Sequence, residues 1–310
     1  MKTRRHFLRL SDVTERELGE LLRSAARLKR RPTDGRTALA GVTVALVFQK
    51  PSMRTRVAFE VAVLQLGGSV VYLGQDDIQL GQREPIKDVA RVLSRYVDGI
   101  VVRTFAHRDA EEFAAYASCP VINGLSDLMH PCQALADLFT IEEQFGRLKG
   151  LRVAYVGDGN NVLHSLVEGC SMLGVSVSAA TPKGYRPEPS IWAASAARAA
   201  RHGASLRWGP DPRDAVRGAD VIYTDVWVSM GKEAERKQRL ATFRPYQVNQ
   251  ALLKHAKPSC RIMHCLPAHR GEEITDELME GTRSLIFEQA VNRLHVQKAL
   301  LKLLMAKSVR

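Results

Sequence analysis

Short apolar runs alternate with helical patterns along this whole chain, and that alternation limits the folds open to it. The short apolar runs fall at 42–48, 69–73, 99–103, 120–122, 151–156, 175–180, 205–208, 220–224, 261–264 and 284–287. Between most of them lie stretches with a helical apolar period. Parallel strands need a long crossover, usually a helix, so this order reads as α/β with mostly parallel sheets. With 310 residues the chain is long enough for two domains of ordinary size. The helical stretch from Pro131 to about Gln144 ends at Gly146, and Leu148-Lys149-Gly150 reads as a start-up turn. Domains of 1–146 and 147–310 are therefore expected, with no internal repeat. Thr14-Glu15-Arg16-Glu17 reads as a capping box opening a helix through about Leu28.

Composition excludes several classes. Apolar residues make up 45%, a globular value, and no run approaches a membrane span. The N-terminus is basic but lacks a secretory apolar core and cleavage site, and helix signals begin at Thr14, so neither a secretory nor a transit segment is expected. The five cysteines, 119, 132, 170, 260 and 265, are scattered and odd in number, which favours a reducing compartment and a cytoplasmic location. The net charge of +12 raises the question of nucleic acid. The positive residues are dispersed, however, with no aromatic-interleaved basic stripe, so neither a nucleic-acid nor a membrane partner is expected. The charge suits steering of a dianionic substrate.

Four motifs carry chemistry. In Lys50-Pro51-Ser52-Met53-Arg54-Thr55-Arg56, two hydroxyls and two guanidiniums sit where the run 42–48 hands over to the helical stretch Val57–Leu66. A helix start has unpaired N–H groups and a positive dipole end, and arginine adds bidentate phosphate recognition. Arginine is unfavourable there unless an anion is present; the bland alternative is a polar turn with solvated arginines. In His130-Pro131-Cys132-Gln133, Pro131 fits a first helical position, His130 a cap, and Gln133 lies about one turn on. His130 alone could equally be a plain cap. Met263-His264-Cys265-Leu266-Pro267-Ala268-His269-Arg270-Gly271 leads from a strand candidate into a basic turn. A lone cysteine is more often a small buried apolar residue than a reactive one. No CxxC or HxxxH pair accompanies it, so no metal is expected. Asp225-Val226-Trp227-Val228-Ser229-Met230-Gly231 follows a strand candidate and suits an amino acid's ammonium and carboxylate, or an ordinary polar turn.

Taken together and in order, these motifs resemble the aspartate and ornithine carbamoyltransferase family. Ser-x-Arg-Thr-Arg at 52–56, His-Pro-x-Gln at 130–133 and His-Cys-Leu-Pro at 264–267 are its hallmarks. Ser229-Met230-Gly231 and the His-Cys-Leu-Pro segment narrow the resemblance to the ornithine branch. Gly157-Asp158-Gly159-Asn160-Asn161 and Phe287-Glu288-Gln289-Ala290-Val291-Asn292-Arg293 also match it. Met53 stands where many relatives carry Thr; its backbone N–H would be the ligand group. The resemblance implies two similar-sized α/β domains, one for carbamoyl phosphate and one for ornithine, with the last helix, about 289–306, returning to the first domain.

The implied reaction is carbamoyl phosphate plus L-ornithine to citrulline plus phosphate, with no cofactor. Related enzymes use N-acetylornithine or putrescine, and Ser229-Met230-Gly231 argues against both. The resemblance assigns Ser52, Met53, Arg54, Thr55 and Arg103 to phosphate. Thr55, Arg103 and His130 go to the carbonyl oxygen, and Gln133 with the main chain of Cys265-Leu266 to the carbamoyl NH2. Arg293 closes the pocket, and Gln79 reaches a neighbouring subunit's site in a homotrimer. Asn161, Asp225, Ser229 and Met230 go to ornithine, and Cys265 to proton removal. A rival reading takes Gly157-x-Gly159 after a strand as a nicotinamide-nucleotide site. The third glycine position is Val162, and the next strand ends without an acidic residue for ribose.

Overall fold

The computed structural model describes residues 5–81, 83–229 and 231–306. Two compact units result: one takes the chain up to Phe139 and again from Asn292, the other takes Thr140–Val291.

The first unit runs α1 (Glu15–Arg30), β1 (Thr43–Phe48), α2 (Met53–Gln65), β2 (Ser69–Leu73), α3 (Gln75–Ile78), α4 (Ile86–Tyr96), β3 (Gly99–Arg103), α5 (His107–Tyr116), β4 (Val121–Leu125) and the start of α6 (Pro131–Phe145). Its four strands lie in the order β2-β1-β3-β4, all pairs parallel. Helix α1 starts as its sequence dictates. Thr14 Oγ1 accepts the Glu17 N–H and the Glu17 carboxylate accepts the Thr14 N–H, a device worth ~1 kcal/mol. Leu18, Leu21, Leu22, Ala25 and Leu28 then form its buried stripe. Helix α2 starts four residues before the apolar run at Val57, because Ser52 caps it and accepts the Thr55 N–H. The anion motif therefore lies inside the first turn of a helix.

The second unit continues α6 and runs β5 (Arg152–Val156), α7 (Asn161–Met172), β6 (Ser176–Ala180), α8 (Pro189–Arg201), β7 (Leu206–Gly209), α9 (Pro212–Val216), β8 (Val221–Thr224), α10 (Arg236–Phe243), α11 (Gln250–Leu253), β9 (Arg261–His264), α12 (Asp276–Glu280) and the start of α13 (Ile286–Met305). Its sheet has the order β7-β6-β5-β8-β9, again all parallel. Val156, Ile222, Phe243, Ile262 and Ile286 are in its core. The apolar run at 284–287 does not become a strand. Ser284 makes one bridge to Ile262, and Ile286 already opens α13, whose apolar period takes over. From Asn292 onward α13 groups with the first unit.

In an open parallel sheet, ligands bind beyond the strands' C-terminal ends, where the strand order reverses. The reversal falls between β1 and β3 in the first sheet and between β5 and β8 in the second. Lys50–Arg56 and Arg103 stand at the first reversal; Gly157–Asn161 and Asp225 stand at the second. The glycines at 157 and 159 do not make a dinucleotide cradle. The Gly159 N–H donates to the Tyr185 carbonyl at 2.9 Å, and a Cβ there would lie 2.4 Å from the backbone at Arg186-Pro187. That close approach requires glycine and leaves no opening for a pyrophosphate.

Candidate active site

The first unit gathers cations around one hydroxyl. Thr55, in the first turn of α2, is fully buried. Its Oγ1 lies 2.8 Å from Arg293 Nη2 and 3.4 Å from Arg103 Nη1. Arg103 is aimed by an irregularity in β4: Val102 pairs with Asn123 but Arg103 pairs with Leu125. Gly124, the skipped residue, has room for no side chain without crowding the Val102 carbonyl and Thr55.

These cations raise one another's energy. Burial, then repulsion from Arg293 and Arg54, brings Arg103 down to about 9, for a group that otherwise stays charged well above pH 12. Burial, then Arg103, brings Lys50 down to about 8, with Asp127 pulling the other way. His130 is pushed well below its ordinary value by burial first, then by Arg293, Arg103, Lys50 and Arg54. It is a neutral imidazole at pH 7, with one N–H to donate. An anion of two charges would relieve all of these groups together. Gln133 donates its amide N–H to Asp137 at 2.8 Å. Its Oε1 is buried without a partner among the described residues, so an acceptor is left over.

Not all of the motif turns inward. Arg56 bonds Glu60 at 2.9 Å and lies 3.6 Å over the Tyr72 ring, so only one of the motif's two guanidiniums remains for an anion. Met53 is 69% exposed. Gln79 is exposed and holds a left-handed φ of 39°, which is uncommon for a residue other than glycine.

The second unit holds a separate set. Asp225, after β8, is buried and accepts from Cys265 Sγ at 2.9 Å, from Asn160 Nδ2 at 2.7 Å and from the Val226 N–H. Asn160 also caps α7 through its side-chain oxygen, so one residue sets both the helix start and the carboxylate. Asn161 opens α7 beside it. Leu266 adopts φ 57°. Its N–H donates to His264 Nδ1 at 2.9 Å, which leaves the proton on Nε2 to donate to the buried Glu273 at 3.1 Å. Ser229 is partly buried; Met230 lies outside the described residues.

Arg239, on α10, anchors the far end of the polar segment that begins at Asp225. It is 3% exposed, although its neighbours from Gly231 to Gln238 are exposed or half-buried. It donates to the Trp227 carbonyl at 2.5 Å, pairs with Asp158, and stacks 4.8 Å from Tyr185 and 5.2 Å from Phe243. Burial lifts Asp158 to about 6 although Arg239 pulls it down.

Lys50, Asp158, Asn160 and Arg239 were not singled out by the sequence. Asn160 had a signal, an asparagine directly before a helical run. The other three are set by contacts distant in sequence. Among the described residues, two groups have metal-ligand atoms within 4.8 Å of one another: Asp225, His264 and Cys265, and His269, Glu272 and Glu273. In the first, both His264 nitrogens are already hydrogen-bonded and the Cys265 thiol donates to Asp225. In the second, Glu273 is held by His264 and the His269 N–H, and Glu272 by Arg236. The first set is therefore closed, whereas in the second His269 Nδ1, Glu272 Oε2 and Glu273 Oε2 are buried with no hydrogen-bond partner among the described residues. No helix among the described residues is long and apolar enough to cross a membrane.

Two family models match the chain: the carbamoyl-P binding domain of aspartate/ornithine carbamoyltransferase over residues 5–143, and its Asp/Orn binding domain over 149–304. The chain belongs to the aspartate/ornithine carbamoyltransferase family. It is 54% identical over 303 residues to the ornithine carbamoyltransferase of Thermococcus kodakarensis, covering 97% of this chain and 96% of that one. It is 52% identical over 301 residues to that of Bacillus subtilis, covering 97% and 94%. The solved ornithine carbamoyltransferase from Pyrococcus furiosus superposes with a TM-score of 0.95 at 52% identity, covering 99% and 98%. That from Gloeobacter violaceus gives 0.89 at 50%, covering 98% and 100%.

Arg239 should act as a latch on the 227–235 segment. Arg239→Gln should speed amide hydrogen exchange there about 10-fold, the loss of ~1.4 kcal/mol of charge-assisted bonding. Acid should do the same to the parent. Asp158 is charged above about pH 6 and neutral below it, so the latch weakens as pH falls through 6. Its pKa is raised on folding, so its protonation favours the folded state, and loosening should be local without loss of global stability from this group. Exchange measured by mass spectrometry, corrected for intrinsic rates, decides; unchanged rates in 227–235 would dismiss the latch.

Proposed function

We propose that this chain transfers the carbamoyl group of carbamoyl phosphate to the δ-amine of L-ornithine, giving L-citrulline and phosphate. One observation carries the reading: Arg54, Arg103, Arg293 and Lys50 crowd around Thr55 and His130, at a cost in energy that a dianion removes. The relatives named above, ornithine carbamoyltransferases at 52–54% identity over 97% of this chain, support ornithine as the acceptor.

In this reading the first turn of α2 holds the phosphate through Ser52, the Met53 N–H, Arg54 and Thr55, with Arg103 beside them. Arg103, Thr55 and the neutral His130 donate to the carbonyl oxygen and stabilise the charge it gains as the amine attacks. Gln133 Oε1, its amide fixed by Asp137, suits the donors of the carbamoyl NH2, together with the main chain at Cys265-Leu266. Arg293 completes the phosphate and carbonyl contacts. Asn161, Asp225, Ser229 and Met230 hold the α-amino and α-carboxylate groups of ornithine. An alkylamine of pKa ~10.4 is almost wholly protonated at neutral pH. Cys265, whose thiol donates to Asp225, takes up the δ-amine's proton as it passes its own to that carboxylate. Phosphate leaves with the electron pair of the broken C–O bond, so no cofactor is needed.

We also propose a homotrimer working in the cytoplasm. Met53, Val57 and Leu64 are 69%, 46% and 61% exposed. At ~100° per residue they fall on one face of α2, spanning about 40°. That apolar face beside the anion site suits a second copy of the chain. Gln79, exposed and left-handed, suits a reach into the neighbour's site.

The first test is the product itself. Carbamoyl phosphate should give a ureido product with ornithine far faster than with N-acetylornithine, putrescine or aspartate. Arg54→Gly should cut kcat/KM by roughly 30- to 100-fold, ~2–3 kcal/mol; a variant within threefold of the parent removes Arg54 from the anion site. Cys265→Ser should lower kcat and alter the alkaline-going limb of the pH–rate profile, because a serine hydroxyl does not titrate there. An unchanged kcat with an unchanged profile returns Cys265 to packing alone.

The trimer has its own test. Arg54→Gly and Gln79→Ala chains, each strongly impaired, should regain activity when unfolded and refolded together. Some hybrid sites then hold both intact residues. Mixed trimers confirmed by mass without regained activity would show that Gln79 serves no neighbour.

A further inference from the structure

The turn after β9 contains a cluster of donor atoms that the proposed reaction does not use. His269 Nδ1, Glu272 Oε2 and Glu273 Oε2 are buried with no hydrogen-bond partner among the described residues. His269 Nδ1 lies 3.9 Å from each of the two oxygens, too far for a hydrogen bond to either. The Glu273 side chain is fully buried. Leaving a buried carboxylate oxygen unbonded beside a second carboxylate is costly, so each such group calls for a partner.

The turn holds these atoms from behind. Glu273 turns its other oxygen to His264 Nε2 at 3.1 Å and to the His269 N–H at 2.5 Å. Glu272 turns its other oxygen to Arg236. The backbone is pinned as well. The Glu272 N–H donates to the His269 carbonyl at 2.9 Å, and the Gly271 N–H to the Ile274 carbonyl at 2.8 Å. Gln247 Nε2 donates to the carbonyls of Gly271 and Glu272 at 2.8 and 3.0 Å. Each carboxylate therefore has one oxygen engaged and one left over. Carboxylates that bind metals divide their oxygens in this way, one on the ion and one hydrogen-bonded.

We propose that His269, Glu272 and Glu273 form a binding site for one first-row divalent cation of the zinc kind. Imidazole and carboxylate together suit such ions, whereas magnesium and calcium take oxygen donors. Two carboxylates meet the ion's two positive charges. With the donor atoms 3.9 Å apart, and all within 4.8 Å, an ion among them sits roughly 2.3–2.5 Å from each. A closure of a few tenths of an ångström gives the ~2.0–2.2 Å of zinc bonds. His269, whose side chain is 42% exposed, has room to make that movement. Water fills the remaining positions. Through Glu273 the ion bears on His264, whose Nδ1 accepts from the Leu266 N–H. The ion is structural, stiffening the turn that carries Leu266. His-x-x-Glu-Glu lies outside the CxxC and HxxxH patterns, so sequence pattern alone does not point to it.

The test uses the full-length, untagged protein, stripped of metal by a chelator and titrated with Co²⁺, whose visible spectrum reports its ligands. One Co²⁺ per chain should bind, with d–d bands and no thiolate charge-transfer band. Zn²⁺ should displace it and Mg²⁺ should not. His269→Ala should weaken binding at least ~100-fold, because the loss of an outer-shell partner alone typically costs ~10–100-fold. Cys265→Ser should bind as the parent does. The ion should raise the melting temperature of the parent and not that of His269→Ala. In crystals of the loaded parent an anomalous peak should lie among the three side chains, a reading that depends on no variant folding. No binding tighter than ~1 mM overturns the proposal. So does binding that survives His269→Ala, or a thiolate band that Cys265→Ser removes, which would place the ion on Cys265 instead.

Discussion

Mutual repulsion among buried cations at the end of the first sheet is the constraint on which the function depends. Arg103, held at about 9, and Lys50, held at about 8, report how strongly the folded chain forces these groups together. Burying charge costs energy unless it is paired. Here the cost is tolerated because the scaffold beneath is an ordinary apolar sheet: Ala45, Val47, Ile100 and Val102 are fully buried in its core. The strain in the site is electrostatic, and a dianion would discharge it. A site built so binds its anion by removing repulsion as well as by adding bonds. The neutral state of His130 follows from the same crowding, and it is the neutral ring that can donate a hydrogen bond without adding a further cation.

The second unit solves a different problem, which is to hold a negative group in place. Asp225 accepts from Asn160, Cys265 and its own neighbour's N–H, so its buried charge is bonded on several sides. The turn after β9 keeps Leu266 in a left-handed conformation that leucine disfavours, by a hydrogen bond to His264 that Glu273 in turn orients. A buried His–Glu pair is a poor way to gain stability but a good way to fix a backbone.

The architecture was legible because most of the parallel strands are buried on both faces and read as apolar runs, and nine of the ten runs are strands, the partly exposed edge strands β2 and β7 among them. The tenth, 284–287, shows the limit of the method. Four apolar-rich residues fit a strand or a helix start equally, and the continuing helical period from Ile286 decided it. Within the site, motif residues that stand at strand ends and helix starts were legible from local pattern. Arg56 was not, because Glu60 and Tyr72 take it to the surface, and Glu60 lies one turn on in a sequence that says nothing of Tyr72's ring. Lys50 was passed over for a related reason: a lysine in a polar turn reads as solvated, and only the packing of Phe105 and Arg103 makes it otherwise.

Arg239 carries the same lesson into motion. Its segment, Lys232-Glu233-Ala234-Glu235-Arg236-Lys237, is polar enough to stay in water, and read locally it is simply a mobile loop. One arginine at its end, inserted between Tyr185 and Phe243 and tied to Trp227 and Asp158, converts it into a loop with a fixed far end. A segment held at Asp225 by Asn160 and Cys265, and at Arg239 by Asp158, can move only as a strap between two anchors. Both anchors lead back to the five-residue turn Gly157–Asn161. That turn contributes Asp158 to one end of the strap and Asn160 to the other, so any ligand that shifts it bears on both ends of the strap at once.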